Sequence, residues 1–400
     1  MVPEGWLKTN FGAVTEIANG QVDPKVEPYL NMLHIGPENV VSDSGQIIDV
    51  VTCKESGFIS GKYEFDENAI VYSKIRPNLN KVCRPGFKGV CSADMYPIWA
   101  KSELDIEFLL HYMLGPLFYK VAVAMSMRTG MPKINRSDLN TVPLLLPPVD
   151  EQKKIAQILS TWDKAITTTE QLLANSQQQK KALMQQLLTG KKRLLDKNGG
   201  RFSGEWKWSK IQEVGMVVTG STPPKSDENN YGGDVLWATA EDFTGKYVSD
   251  TKIKLSDKGS TKARIVPKGS VLVTCIASIG KNAIANEDMG TNQQINAVVV
   301  SDSFSNEFFY YQIEFNVNKL INIAGVTAVP IVNKSSFQQV KLIFPVLEEQ
   351  QKIAVVLSTA DQEISTLQQK LDALKQEKKA LMQQLLTGKR RVKVDGVVHA

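Results

Sequence analysis

The sequence has little of what metal binding or membrane insertion requires. Its 400 residues include four cysteines and three histidines, and no two cysteines form a CxxC pair. Because a zinc site needs about four nitrogen or sulfur ligands at short spacings, we expect no metal and interpret the cysteines as small core residues in a reducing compartment. No apolar run approaches the ~18–20 residues of a membrane span, and no signal peptide is evident, so we expect a cytoplasmic protein without membrane contact.

Motifs of catalysis are also missing. The sequence contains no GxGxxG, HExxH or GxSxG stretch, and no Asn/Asp-Pro-Pro-aromatic stretch that would suggest amino-methyl transfer. The segment CIASIGK (275–281) ends like a phosphate loop, but Cys275 stands where the first glycine is required and Asn282 replaces the Ser or Thr. We therefore predict that this chain is not an enzyme and binds no cofactor.

What the sequence does have is an internal repeat. The twelve residues KKALMQQLLTGK occur unchanged at 180–191 and 378–389, 198 positions apart. At the same offset, VPLLLPPVDEQKKIAQILSTWDKAI (142–166) aligns with VKLIFPVLEEQQKIAVVLSTADQEI (340–364), and MPKINRSDL (131–139) resembles VPIVNKSSF (329–337). The chain is a tandem duplication whose domain bodies have diverged more than the segments that follow them.

The repeated segments predict two long helices, 151–189 and 349–387. Glu151 and Glu349 lie where the first turn of a helix favours negative charge, and Gly190 and Gly388 follow the last apolar residues. Each helix would be about 58 Å long at ~1.5 Å per residue. Apolar residues recur with a seven-residue period, which is typical of a coiled coil, although two unrelated surface helices remain an alternative. The predicted seam consists of Ile155, Leu159, Trp162, Ile166, Leu173, Leu183, Leu187, Ile353, Leu357, Ile364, Leu367, Leu371, Leu374, Leu381 and Leu385.

Four polar residues interrupt this seam: Thr169, Ser176, Lys180 and Lys378. We expect them to find additional partners or to extend their polar ends to solvent. Only about fifteen residues (190–204) separate the first helix from the second domain body. If the helices pair along their length, they must therefore run antiparallel, with the two domain bodies held apart.

Each domain body predicts an α+β fold. Strand-like runs come first (IIDVV, AIVYSKI and MYPIW; then GSVLVTCI and INAVVV), and a helical run follows (DIEFLLHYMLGPLFYKVAVAM; then NEFFYYQIEFNVNKLI). Two basic runs, 73–90 and 252–268, are either solvated loops or surfaces that face phosphates. Turns rich in Asn, Gln, Ser and Thr carry groups that bind base edges and phosphate oxygens.

Taken together, the repeated P-x-x-EQ-x-KIA and LMQQLLTGK-[KR]-R segments, the GEWKWSKIQEVGMVVTGSTP opening of the second half and its GSVLVTCIASIGK…TNQQINAVVV core resemble the specificity (S) subunit of a type I restriction–modification system. The resemblance covers the whole chain. It implies an α+β fold with two similar globular target recognition domains, separated by two long antiparallel coiled-coil helices in a pseudo-twofold tandem repeat. The first half is a less typical match, because Asn19-Gly20-Gln21 stands where the second half has Thr219-Gly220-Ser221-Thr222-Pro223.

The resemblance also implies a function. Each domain would read one half of a bipartite site on double-stranded DNA, while the helices set the spacer and dock two methyltransferase subunits. S-adenosylmethionine, ATP and Mg would be bound by the partners, which include restriction/motor subunits that associate through the methyltransferase. A scaffold with two protein-binding domains and no nucleic-acid role is the alternative, and a steep salt dependence of DNA binding would distinguish the two.

On this basis the chain divides into a first target recognition domain (1–148), a first long helix (149–190), a linker (191–204), a second target recognition domain (205–346), a second long helix (347–388) and a C-terminal tail (389–400). The predicted DNA-binding residues are Lys74, Arg76, Asn78, Asn80, Lys81, Arg84, Arg128, Lys133, Ser221, Thr222, Lys225, Ser278, Lys281, Asn292, Gln293, Gln294 and Lys334.

Overall fold

The chain forms two compact units. The computed structural model describes residues 2–126, 132–324 and 329–394. Unit 1 comprises Met1–Glu170 together with Gln369–Ala400, and unit 2 comprises Gln171–Gln368. Unit 2 is therefore one continuous segment, whereas unit 1 is assembled from two segments that are distant in sequence.

Unit 1 contains short strands and short helices, followed by the start of a long helix. Its strands are Leu7–Asn10 (β1), Thr15–Ile17 (β2), Leu33–Ile35 (β3), Val51–Thr52 (β4), Tyr63–Phe65 (β5), Ile70–Ser73 (β6), Val82–Cys83 (β7), Gly89–Cys91 (β8), Met95–Ala100 (β9) and Pro143–Leu146 (β10). Its helices are Phe11–Val14 (α1), Cys53–Ser56 (α2), Ile106–Leu114 (α3), Pro116–Ser126 (α4), Arg136–Asn140 (α5) and the first part of Val149–Leu187 (α6).

Unit 2 repeats this order. Its strands are Lys207–Lys210 (β11), Gly215–Thr219 (β12), Tyr231–Ala238 (β13), Tyr247–Val248 (β14), Ile253–Leu255 (β15), Ile265–Val266 (β16), Val271–Thr274 (β17), Asn282–Ala285 (β18), Met289–Thr291 (β19), Ile295–Val300 (β20) and Lys341–Phe344 (β21). Its helices are Ile211–Val214 (α7), Asp257–Ser260 (α8), Asn306–Phe315 (α9), Val317–Asn322 (α10), Lys334–Gln339 (α11) and the first part of Leu347–Leu385 (α12).

The sheets of the two units correspond strand by strand. Unit 1 has sheets with the orders β2-β9-β6-β7, β4-β3-β8-β5 and β1-β10. Unit 2 has β12-β20-β17-β18-β14, β15-β13-β19-β16 and β11-β21, so it adds only β14 to the same plan. In both units, one parallel pair, β3 with β8 and β13 with β19, lies in an otherwise antiparallel sheet. The α+β fold and the tandem repeat predicted from the sequence are confirmed.

The two long helices contain 39 residues each and begin two residues earlier than predicted. Within unit 1, the start of α6 packs against the end of α12, and Ile155 and Leu159 share a core with Leu385. Within unit 2, the end of α6 packs against the start of α12, and Leu187 shares a core with Ile353. The helix segments in each unit therefore run antiparallel, and every predicted seam residue is buried or half-buried.

Three local predictions need correction. The helix predicted from DIEFLLHYMLGPLFYKVAVAM is broken between α3 and α4, because Gly115 ends α3 and Pro116 has no N–H to continue it. The helix from NEFFYYQIEFNVNKLI is broken at Asn316, whose Nδ2 donates to the Gln312 carbonyl at 2.8 Å. The strand from IIDVV is reduced to its last residue, since Asp49 has a left-handed φ of 52°.

In the described ranges, no single helix is both long enough and apolar enough to cross a membrane. The bent pair α3 and α4, at 61° to each other, reaches that length and composition together. Phe108, Leu109 and Phe118 from this pair are fully buried in the core of unit 1.

Candidate nucleic-acid interface

The loop between β6 and β7 (residues 74–81) carries the first group of predicted DNA contacts. Arg76 and Asn80 flank a turn of 3-10 helix and both adopt left-handed φ values, 46° and 43°. The Asn80 side chain is 2% exposed, and its Nδ2 donates to Asp43 Oδ1 at 2.8 Å and to the Leu114 carbonyl at 3.3 Å. Asn80 therefore holds the loop in shape and does not face solvent, as its predicted role would require.

A second segment, 132–134, pairs with this loop. The Arg76 N–H donates to the Pro132 carbonyl at 2.8 Å, and the Ile134 N–H donates to the Lys74 carbonyl at 2.9 Å. Between these two bonds, Lys133 forms an antiparallel bridge with Ile75. Two predicted residues that are about sixty positions apart in sequence, Lys74 and Lys133, are thereby brought together.

Lys74, Lys133 and Arg136 form a group that we call the cationic cluster. The Lys74 Nζ lies 5.0 Å from the centre of the Tyr96 ring, and the Arg136 guanidinium lies 5.1 Å from Tyr96 and 5.5 Å from Tyr63. Partial burial, and then the positive charge of Lys133, lowers the pKa of Lys74 below its ordinary value. In the described part of the chain, no salt bridge joins any of these three cations to a carboxylate. The cluster is therefore a positive surface backed by aromatic rings, and Asp94 is the carboxylate that partly offsets the charge of Lys74.

Arg136 was not among the predicted DNA-binding residues. The signal was present, because Asn135-Arg136 aligns with Asn333-Lys334, and both asparagines cap the following helix. Arg136 also donates to the Tyr63 hydroxyl at 3.2 Å and to the Ala18 carbonyl.

The other predicted residues of unit 1 divide into two groups. Arg76 and Asn78 are exposed, and within the described residues neither side chain has a hydrogen-bond partner. Lys81 donates to the Pro37 carbonyl, and Arg84 forms an ion pair with Glu107. These last two side chains stabilise the fold, and Arg128 lies outside the described residues.

In unit 2, the polar turn after β12 packs against the turn before β20. Gly220 donates its N–H to the Ile295 carbonyl at 3.0 Å, and Ser221 donates its N–H to the Thr291 carbonyl at 2.8 Å. A Cβ on Gly220 would lie 2.1 Å from the Asn292 carbonyl oxygen, so only glycine permits this approach. Thr222 donates its hydroxyl to Gln293. Four predicted residues, Ser221, Thr222, Asn292 and Gln293, are thus brought onto one surface.

The basic run 252–268 is mostly neutralised. Five of its six cations form ion pairs: Lys252 with Glu241, Lys254 with Asp250, Lys258 and Lys262 with Asp227, and Lys268 with Glu287. Arg264 is the exception, since its guanidinium donates to the Thr219 carbonyl at 2.8 Å and its N–H to Ser221 Oγ at 2.9 Å. The run therefore consists of β15, α8, β16 and the turns that join them, with most of its cations paired, and Arg264, which was not predicted, joins the polar turn.

The loop between β17 and β18 (residues 275–281) borders the same surface. Cys275 donates its N–H to the Gln294 carbonyl at 2.8 Å, which places Gln294 beside the loop. Ser278 is exposed, and Lys281 donates to the Ala240 carbonyl at 2.7 Å. Lys225 and Lys334 are also exposed.

Three of the four polar residues within the seam have additional partners, as expected, whereas Thr169 donates its hydroxyl to the Ala165 carbonyl of its own helix at 2.8 Å. Lys180 Nζ lies 2.7 Å from Asp361 and 2.9 Å from Glu314, and Lys378 forms the equivalent ion pair with Asp163. Ser176 donates its hydroxyl to Glu363 at 2.9 Å. Partners of opposite charge allow these lysines to lie between the helices.

A buried ion pair explains the Glu of the repeated EQ motif. Arg193 donates from Nε and NH2 to the two oxygens of Glu349, both at 2.7 Å, and Glu349 is fully buried. In unit 1, Arg391 makes the same two-fold contact with Glu151, at 2.7 and 2.9 Å. The arginine after each LLTGK segment thus ties the end of one long helix to the start of the other.

The Gln of the motif joins the helix to the domain body. Gln152 donates to the carbonyls of Glu103 and Pro147 and accepts from the Asp105 N–H at 2.7 Å. Gln350 accepts from the Ser305 N–H at 2.9 Å and donates to the Pro345 carbonyl at 2.8 Å. The repeated residues therefore have defined structural roles within each unit.

The cysteines are core residues. All four are buried with free thiols, and burial raises the pKa of the Cys275 thiol to about 11. Among the residues with described positions, no group of three or more His, Cys, Asp or Glu side chains is arranged to hold a metal ion.

Comparison with known proteins agrees with this arrangement. The sequence profile of the type I restriction modification DNA specificity domain matches twice, at residues 3–175 and 203–376. The chain is 40% identical over 156 residues to the specificity subunit of the Escherichia coli type I restriction enzyme EcoDI, an alignment that covers 39% of this chain and 34% of that subunit. It is 25% identical to the MjaVIII specificity subunit of Methanocaldococcus jannaschii, over 98% of this chain and 94% of that subunit.

The fold is shared with a solved structure. The S subunit of the type I restriction–modification system from M. genitalium superposes with a TM-score of 0.62 at 14% identity, covering 95% of this chain and 96% of that one. The two matches to the family profile include most of the sequence. The chain therefore belongs to the type I restriction modification DNA specificity domain family.

Proposed function

We propose that this chain is the DNA-reading subunit of a type I restriction–modification complex. Each unit reads one half of a bipartite site, and the chain itself catalyses no reaction. The observation that carries the proposal is the cationic cluster, because three neighbouring cations that form no salt bridge make a positive surface that attracts an anion such as a DNA phosphate. The residues brought together in unit 2, chiefly hydroxyls and amides, suit phosphate oxygens and base edges.

The same proposal assigns partner docking to the long helices. Modification subunits, two in number, would bind them, and the length of the helices would fix the unread spacer between the half-sites. In unit 1, Ile158, Trp162, Leu381 and Val392 line a shallow apolar groove on the helices, a surface that suits a protein partner. S-adenosylmethionine, ATP and Mg would be bound by the modification and restriction/motor subunits. The complex would act in the cytoplasm, where the DNA lies.

Methylome sequencing tests this proposal. Cells that express the chain with its modification subunit should acquire methylation at a split motif, and cells with the modification subunit alone should not. Substituting Lys74→Ala should weaken methylation or relax one half of the motif while leaving the other half unchanged. A matched control is Lys252→Ala, since Lys252 pairs with Glu241 on an exposed surface. Methylation that is independent of this chain would refute the proposal.

A further inference from the structure

The β6–β7 and β17–β18 loops occupy equivalent places in the two units. In unit 2, the Ala277 N–H donates to the Pro330 carbonyl at 3.1 Å, and the Val332 N–H donates to the Cys275 carbonyl at 2.8 Å. Ile276 forms an antiparallel bridge with Ile331, as Ile75 does with Lys133. Ala277 has a left-handed φ of 62°, matching that of Arg76. The two surfaces can therefore be compared residue by residue.

Strand register and helix caps extend the comparison. Tyr96 lies opposite Tyr72 in the β6–β9 pair, and Asn296 lies opposite Val273 in the β17–β20 pair. The matched positions are Lys74 with Cys275, Arg76 with Ala277, Tyr96 with Asn296, Lys133 with Ile331, and Arg136 with Lys334. Unit 1 carries four cations at these positions, and unit 2 carries one.

Neutral groups replace the cations in unit 2. The Asn296 Nδ2 donates to the Cys275 sulfur at 3.2 Å, and the Asn296 Oδ1 accepts from the Thr219 hydroxyl at 2.7 Å. Ile331, where unit 1 has Lys133, is 46% exposed. Two nearby cations, Lys281 and Arg264, each use a donor on a backbone carbonyl, as Arg136 does in unit 1 on Ala18. Equivalent backbone positions thus carry mostly cations in unit 1 and mostly neutral groups in unit 2.

We infer that the two units bind DNA unequally: unit 1 supplies most of the salt-dependent affinity, and unit 2 contacts its half-site chiefly through neutral amide, hydroxyl and apolar groups. The inference rests on the proposed DNA-reading function. Each phosphate that a cation neutralises adds about 0.9 to the slope of log affinity against log salt concentration, whereas neutral contacts add nothing to it. The slope therefore counts the cations that face phosphates, and variants in one unit show how many of these cations that unit supplies.

The experiment measures binding of the full chain to a fluorescent duplex of random sequence, by anisotropy, between about 50 and 200 mM salt. The triple variant Lys74→Ala/Arg76→Ala/Lys133→Ala should lower the slope by about 2.7. A fourfold rise in salt concentration should then weaken its DNA binding about 40-fold less than it weakens binding by the wild type. Lys334→Ala, which removes the one cation that unit 2 carries at the five matched positions, should lower the slope by at most about 0.9, or about 3.5-fold.

A gain-of-charge variant makes the test independent of damage to the fold. Ile331→Lys places in unit 2 the residue that unit 1 has at the matched position, and it should raise the slope by about 0.9. Thermal unfolding of each variant confirms that it is folded. Either of two results would overturn the inference but not the proposed function. The triple variant could lower the slope no more than Lys334→Ala does, or Ile331→Lys could leave the slope at its wild-type value. Wild-type chain that binds no DNA at any salt concentration would overturn the proposed function as well.

Discussion

Removal of the arginine from a buried ion pair should destabilise unit 2 more than unit 1. The change is Arg193→Met in unit 2 and Arg391→Met in unit 1, which keeps a long apolar side chain and removes the charge. Each arginine contacts both oxygens of a buried carboxylate, Glu349 or Glu151. The two sites differ in one further contact, which sets the direction of the prediction.

That contact involves the tryptophan before the first strand of each unit. The Trp6 Nε1–H donates to Glu151 at 2.9 Å, so this carboxylate keeps one charged hydrogen bond when Arg391 is lost. The Trp206 Nε1 is buried, and among the described residues it has no partner. Glu349 would thus lose both of its side-chain hydrogen bonds on loss of Arg193.

The expected magnitudes follow from this difference. Breaking a buried ion pair from one side costs about 3–5 kcal/mol, and Arg193 is 21% exposed, which favours about 3 kcal/mol for Arg193→Met. A hydrogen bond to a charged group is worth about 1.5–3 kcal/mol, so the bond from Trp6 should reduce the loss in Arg391→Met from about 3 kcal/mol to at most about 1.5 kcal/mol. Replacing Glu349 by Leu in the Arg193→Met background should recover most of the loss, since no unpaired charge then remains buried.

Hydrogen exchange with mass spectrometry resolves the two units. Opening free energies are compared for peptides covering β11 and β21 and for those covering β1 and β10. Guanidinium unfolding monitored by tryptophan fluorescence gives the overall loss for each variant. The prediction would be contradicted if Arg391→Met destabilised the protein as much as Arg193→Met. It would also be contradicted if Arg193→Met with Glu349→Leu were less stable than Arg193→Met alone, because the unpaired buried carboxylate would then not determine the loss of unfolding free energy.

Three further predictions follow from single features of the structure. His111 is buried, and burial lowers its pKa to about 3. Since the unfolded chain takes up a proton below about pH 6.5, stability should be complete above that pH and fall by about 2 kcal/mol by pH 5. Urea titrations should find this dependence reduced in His111→Tyr, which introduces the residue that unit 2 has at this place, since Tyr311 contacts Ser358 as His111 contacts Ser160. Arg76→Gly should relieve the left-handed backbone and raise the free energy of unfolding by up to about 1 kcal/mol while weakening DNA binding; a loss of stability would show that the side chain packs in the fold. A fragment of residues 1–195 should form a dimer, because its own Lys180, Leu187 and Arg193 match Lys378, Leu385 and Arg391, which the segment 369–391 supplies to unit 1. Light scattering measures the mass of the fragment, and a monomer would contradict this prediction.

Most of the fold could be predicted from local sequence patterns and from the internal repeat. The seven-residue period located both long helices, and the charge of Lys180 and Lys378 within the seam indicated partners that the structure supplies as Asp361 and Asp163. These features are periodic or repeated, so they can be recognised without knowing which distant residues meet. The breaks at Pro116 and Asn316 were missed because the apolar composition continues across them.

The candidate surface was predicted less well, since charge alone does not show which cations are already paired. Lys258 and Lys262 meet Asp227, which lies more than thirty residues earlier in the sequence. Asn80 has the composition of a surface turn but is buried beneath its loop, and its donors are used by Asp43. Arg136 becomes part of the surface only because two strands carry Tyr63 and Tyr96 beneath it. Each of these outcomes depends on tertiary contacts.

The assembly of unit 1 from two distant segments has a consequence for synthesis on the ribosome. Unit 2 is continuous, so it can fold as soon as residues up to 368 have emerged, which reverses the usual order in which the N-terminal domain folds first. Unit 1 must wait, because Leu385, Leu386 and Arg391 complete its core and its ion pair with Glu151. A chain interrupted after Gln368 and before Leu385 would therefore carry a complete second unit and an unfinished first one. Because unit 1 is inferred to supply most of the salt-dependent affinity for DNA, such interrupted products would compete poorly with the finished subunit.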